Sequence, residues 1–204
     1  MSDLTRRELL ARAAIYGGSA VVALYWPCAA RAAAESTKPV ILSAQEWKTV
    51  EAMTARILPS DDGSPGGREA GCVSFIDKAL AHEEAAARPL YAMGLRGLDA
   101  SARARHAKPF AELDPAQQDA LLAALEDGKA EGWPADAGDP AVFFGTVRTH
   151  TLLGFLSAPK YGGNRDFAGW KLTGYPGPRH IRNGYTPAQL LGKAPIRAVW
   201  GEEV

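Results

Sequence analysis

Apolar residues recur at helical spacing in five stretches of this chain, most of them bounded by residues that start or stop a helix. Trp47, Val50, Met53, Ile57 and Leu58 follow Ser43-Ala44-Gln45-Glu46. That tetrad is a capping box, in which the Ser oxygen and the Glu carboxylate satisfy each other's free backbone N–H groups. Pro59 ends this helix, because the residue before a proline is driven out of the helical region. Ser60 to Gly67 holds two aspartates, three glycines and a proline, which predicts a loop. A second helix is expected from Glu69 to about His82, with Val73, Ile76, Ala79 and Leu80 inward. A third is expected from about Pro89 to Arg105 through Leu90, Met93, Leu95 and Leu98, weakened by Gly94 and Gly97. Phe110 and Leu113 lead into Asp114-Pro115-Ala116-Gln117, a start signal with Asp as N-cap and Pro at the first helical position. Leu121, Leu122 and Leu125 form its apolar face, and Gly128 ends it. Asp139-Pro140 repeats the device before Ala141 to Leu156, the most apolar stretch. There Phe143, Phe144, Val147, Leu152, Leu153, Phe155 and Leu156 fall on more than one face, as in a central helix buried on several sides. Pro159 ends it.

The helical period is lost from about residue 158. Gly162-Gly163, Gly169, Gly174, Pro176-Gly177-Pro178, Gly184 and Pro187 alternate with Tyr161, Phe167, Trp170, Tyr175, Tyr185 and Trp200. Linkers lack such rings. An extended arm is expected here, packing its aromatics on the chain's own core or on another subunit. Few runs alternate like strands and no repeats occur. The expected fold is therefore mainly α: one helical domain over 35–204, with an exposed lead-in at 35–42 and a Gly/Pro/aromatic-rich C-terminal arm.

The N-terminus has a different character. Arg6-Arg7 precedes Ala13 to Ala30, which carries no charge and is rich in alanine and valine. Adjacent arginines before a mildly apolar segment read as a twin-arginine export signal. Ala32-x-Ala34 would release a chain starting at Glu35, and Ala30-x-Ala32 is a second cleavage option. An uncleaved anchor is the alternative; a lipoprotein reading of Cys28 is disfavoured by the preceding Pro27. Residues 1–34 are thus expected to be a signal peptide, and the periplasm the destination. The twin-arginine translocase carries proteins already folded, which raises the question of what had to be assembled before export.

Charge and cysteine content narrow the answer. The full chain is formally neutral. Residues 1–34 hold four arginines against Asp3 and Glu8, an excess of two positives, so the remaining 170 or so residues carry a net −2. That length suits one domain with a real core. No basic run or basic–aromatic stripe occurs, so nucleic acid is not an expected partner. Cleavage would leave Cys72 alone, either as a small buried apolar residue or in an intersubunit disulfide.

A cofactor would explain folded export, yet no binding motif emerges. There is no Cys-x-x-Cys-His, cysteine cluster, P-loop or Gly-x-Gly-x-x-Gly after a strand. Asp61-Asp62-Gly63 lacks the later ligands of a calcium loop. His82, His106, His150 and His180 are dispersed; His150 reads as a core or interface histidine, or as a base or haem ligand. No Gly-x-Ser-x-Gly elbow accompanies the serines, and Glu83-Glu84 reads as a solvated surface pair. No catalytic, cofactor-binding or metal residue is assigned.

The remaining constellation runs from Phe143 to Leu156, then through Pro159-Lys160-Tyr161-Gly162-Gly163-Asn164, Gly169-Trp170 and Gly174-Tyr175-Pro176-Gly177. With Ile57-Leu58-Pro59, Pro65-Gly66-Gly67, Ala70-Gly71, Phe75-Ile76-Asp77 and Phe110-x-x-Leu113 with Gln117, it closely resembles the gluconate 2-dehydrogenase subunit 3 family over roughly 40–178. The resemblance implies a non-catalytic small subunit of a membrane-bound sugar or sugar-acid dehydrogenase. Its large partner would be a glucose-methanol-choline-type oxidoreductase carrying FAD, and a third, cytochrome c subunit with haem c serves some such complexes. The small subunit would help the flavin subunit fold and cross the membrane. On that reading Tyr161, Gly162, Gly163, Asn164, Trp170 and Tyr175 are the expected partner interface; otherwise they cap the chain's own core. Two other readings stay open: a stand-alone periplasmic metal or hydrolytic enzyme using His150, Asp61 or Asp62, and a helical binding module for an unrelated exported partner.

Overall fold

In the computed structural model, which describes residues 39–61, 63–178 and 184–203, the capping signals form as the sequence predicts. The export-signal residues, the cleavage sites, Cys28, Asp62 and His180 lie outside the described residues. The Ser43 hydroxyl accepts from the Glu46 N–H, and the Glu46 carboxylate accepts from the Ser43 N–H at 2.8 Å; together they open α1, Ala44–Ile57. Asp114 and Gln117 close the same box on α4, Pro115–Glu126, and Asp139 accepts from the Ala141 N–H at the start of α5, Pro140–Leu156. Between them lie α2, Cys72–Ala81, and α3, Arg88–His106. Arg88 joins these two by donating to the Leu80 and Ala81 carbonyls at 2.6 and 2.8 Å, which caps the end of α2.

The second helix starts later than its apolar pattern suggests. Gly71 is left-handed at φ 72°, which no right-handed helix can include. Glu69 instead folds back over the loop, accepting from the Ser60 hydroxyl at 2.6 Å and the Gly66 N–H at 2.9 Å.

Helix α5 is the centre of the molecule and packs against α1, α2, α3 and α4. Phe143 and Val147 are fully buried among Val50, Met53, Ile76, Leu80, Leu98 and Leu121. The weak points in α3 have a packing reason: a Cβ on Gly94 would lie 2.2 Å from the Phe143 ring, and one on Gly97 2.9 Å from Trp133. Each glycine costs about 1 kcal/mol of helix propensity and admits a ring against the backbone. Arg56 makes a two-pronged ion pair to Asp119 at 2.6 Å, and Arg148 pairs with Glu126; these tie α1 and α5 to α4 at the surface.

The mainly α, single-domain reading holds. Among the described residues no strand forms beyond two isolated bridges, and no helix is long and apolar enough to cross a membrane. The C-terminal region differs from the expected extended arm. Residues 159–175 coil back on the end of α5 through two 3-10 turns and α6, Ala168–Thr173. Gly162, Asn164 and Gly174 are all left-handed, so the chain reverses every few residues without a helical period. A short α7, Pro187–Leu190, follows. The tail then returns: the Val199 N–H donates to the Pro176 carbonyl at 2.8 Å, and the Trp200 ring lies 5.6 Å from Phe167.

Candidate functional site

The last carbonyls of a helix need partners. At the end of α5 two side chains supply them. Trp170 Nε1 donates to the Leu156 carbonyl at 2.7 Å, and Asn164 Nδ2 donates to the Ser157 carbonyl at 2.8 Å. Asn164 Oδ1 in turn accepts from the Gly169 N–H at 2.8 Å, so one fully buried amide clamps both the helix end and the start of α6. Glycines let the backbones touch. A Cβ on Gly163 would fall 2.1 Å from the Gly154 carbonyl oxygen, and one on Gly169 2.0 Å from that of Phe155. Phe75 fills the other side of Gly154, 3.1 Å from where its Cβ would be.

The loop before α2 locks into the same place. The Arg165 N–H donates to the Ala70 carbonyl at 3.0 Å, and the Gly67 N–H to that of Leu58 at 2.7 Å. A Cβ on Gly66 would lie 2.4 Å from the Leu58 carbonyl oxygen, and one on Gly67 2.5 Å from that of Thr54. Leu58, Ala70, Cys72, Phe155 and Ala168 form a small second core beneath these contacts. Motifs far apart in sequence, from Ile57-Leu58-Pro59 to Gly169-Trp170, thus make one backbone-to-backbone junction. It holds Asn164, Asp166 and Phe167 left-handed, a conformation costing roughly 1–2 kcal/mol per residue that the surrounding bonds must offset.

Residues 44–177 match the gluconate 2-dehydrogenase subunit 3 family. The chain belongs to that family. No curated protein and no solved structure gives a significant match. The subunit 3 match stops at Gly177, where the tail doubles back: a Cβ on this left-handed glycine would meet Val199 at 2.5 Å.

Within this subunit 3 chain, the six residues expected at a partner interface divide in two. Gly162, Gly163, Asn164 and Trp170 are buried against the chain's own core: Gly163, Asn164 and Trp170 close the end of α5, and Gly162 packs under Lys78. Tyr161 is half-buried beneath Lys160, whose Nζ is 4.9 Å from the ring centre. Tyr175 is 40% exposed and stands edge-on to Trp170 at 5.1 Å.

Two polar arrangements could not be read from the sequence. Asp77 is buried on α2, and its carboxylate accepts from three successive N–H groups, those of Val40, Ile41 and Leu42, at 2.6, 2.9 and 2.8 Å. It fastens the segment that leads out of the N-terminal region. Tyr91 on α3 and His150 on α5 form a buried pair, with Tyr Oη 3.0 Å from His Nδ1 and the rings stacked. Glu84 approaches His150 Nε2 at 3.9 Å. Burial holds His150 below its ordinary range, with Glu84 opposing, and pushes the Tyr91 hydroxyl well up. The signal for all three residues was a polar group on an apolar stripe: Asp77 between Val73 and Leu80, Tyr91 before Leu95 and Leu98, His150 after Phe143 and Val147.

The other sequence candidates stay apart. Asp61 closes a tight turn with Ser64, His82 lies exposed beyond α2, and His106 ends α3. Among the described residues no three His, Cys, Asp or Glu side chains are placed to hold a metal. Cys72 is fully buried, and burial pushes its thiol up to about 12, far from a reactive thiolate.

Proposed function

We propose that this chain is the non-catalytic small subunit of a periplasmic, FAD-dependent sugar, polyol or sugar-acid dehydrogenase of the glucose-methanol-choline type. Its role is to help the flavin subunit fold and to carry it out of the cytoplasm through the twin-arginine translocase, with Arg6-Arg7 as the shared address. The FAD belongs to the partner, and haem c to a third subunit where one is present. The complex acts at the outer face of the cytoplasmic membrane. The observation that carries this reading is the match of residues 44–177 to a dehydrogenase subunit family. The local chemistry fits it: the Asn164 and Trp170 side chains of the glycine junction are taken up in internal bonds, and the Tyr91–His150 pair is buried in the helix packing. Replacing Arg6 and Arg7 by lysine in cells making both subunits is expected to leave dehydrogenase activity in the cytoplasm. Normal export of that activity would overturn the escort role.

A further inference from the structure

A cleft of about 330 Å³ opens where the lead-in segment, α2 and the start of the C-terminal cap meet. Phe75, Ala79 and Tyr161 give it apolar walls, Lys78 and Lys160 give it cationic ones, and His82 adds a polar edge; among the described residues no carboxylate lines it. We infer that this cleft docks an acidic segment of the partner dehydrogenase subunit, an inference that rests on the subunit reading above.

Among the described residues neither lysine has an acidic partner. The neighbouring acid, Asp77, is turned inward onto three backbone N–H groups, and Glu84 faces His150. The Lys78 stem lies over Gly162, with Nζ 2.9 Å from where a Cβ would stand. The rim points to a polypeptide and not to a small anion. Val40 and Ile41 are 61% and 41% exposed, yet Asp77 clamps their backbones. Two β-branched side chains held rigidly in water beside a cationic cleft suit a segment carrying both acidic and apolar residues.

The test measures the dissociation constant of the complex between full-length chain and flavin subunit, at low and high salt. Lys78→Met with Lys160→Glu keeps the stem over Gly162 and removes the positive field. It should weaken the complex about tenfold or more and flatten its salt dependence, with the melting temperature of the free subunit unchanged. Arginine at both positions should retain most of the affinity. Lys160→Glu alone, at an exposed site, should give a smaller loss in the same direction should the double variant fold poorly. Unchanged affinity in the charge variants, with wild type binding normally, would overturn the cleft proposal and leave the subunit reading standing. Failure of the wild-type chain to bind the flavin subunit would overturn both. Gluconate or inorganic phosphate binding that depends on Lys78, with complex affinity unaffected, would make the cleft a small-anion site and overturn the docking role.

Discussion

Asn164 sits in a left-handed backbone conformation with both ends of its amide bonded to main chain. Asn164→Ala would leave two buried backbone groups without partners and keep the strained φ, for a loss of about 3 kcal/mol. Asn164→Gly loses the same bonds but not the strain, and is expected to be about 1 kcal/mol less harmful. Denaturant unfolding of the two variants checks the ordering; equal losses would remove the role assigned to backbone strain. His150 has a different signature. Its folded pKa lies below the ordinary 6.5, so between the two values the unfolded chain binds a proton that the folded chain does not. Stability therefore rises with pH in that window and is lost as pH falls through about 6.5. Glu69 acts lower. The Ser60 hydroxyl chiefly holds its carboxyl below the ordinary 4.5, so its contribution is lost only as pH falls beneath that. Unfolding midpoints across pH should show the upper slope in the wild type and not in His150→Gln; a slope that survives the substitution would mean another group carries it. Neither residue's role was legible in the sequence. Asn164 read as part of a partner interface or a cap and His150 as one of several options, because their partners come from distant segments.

At the scale of elements, three of the five long helices were legible at their starts, which carry their own chemistry: Ser43 with Glu46, Asp114 with Gln117, and Asp139 before Pro140. The late start of α2 was not, since it is set by the left-handed Gly71, which packs against Gly162 and Arg165, nearly a hundred residues on. The glycines of α5 show why composition alone misleads. A Cβ added to Gly145 would meet no atom within 4 Å, whereas Gly154 is pressed by Phe75 at 3.1 Å and approached by Gly163. Gly145→Ala should stabilise the protein by about 0.5–1 kcal/mol. Gly163→Ala should destabilise it by about 3 kcal/mol or more, because its Cβ meets a main-chain oxygen at 2.1 Å and the backbones must part. Thermal unfolding of both variants tests this; a well-tolerated Gly163→Ala would mean the junction is looser than described.

For the whole molecule, the C-terminal region decides what is left for a partner. Its rings were legible as anchors, but not the surface they would cover. Phe155 and Trp170 now lie within the chain's own second core and cap, while Tyr175, Leu172 and Val199 remain exposed. Truncation after Ala158 should therefore cost roughly 3–5 kcal/mol by uncovering Phe155 and Leu58. A chain ending at Pro178 should lose about 1 kcal/mol, mainly the Trp200 and Val199 contacts. Denaturant midpoints of the two truncations would separate these cases, and equal effects would contradict the division. Such a fold, with its motifs spent on internal closure, fits a subunit that acts through its surface. The most direct test of that claim is to produce the flavin subunit with and without this chain and measure dehydrogenase activity in the periplasm and cytoplasm. Activity in the periplasm only when this chain is present is the predicted result. Full periplasmic activity from the flavin subunit alone would contradict it.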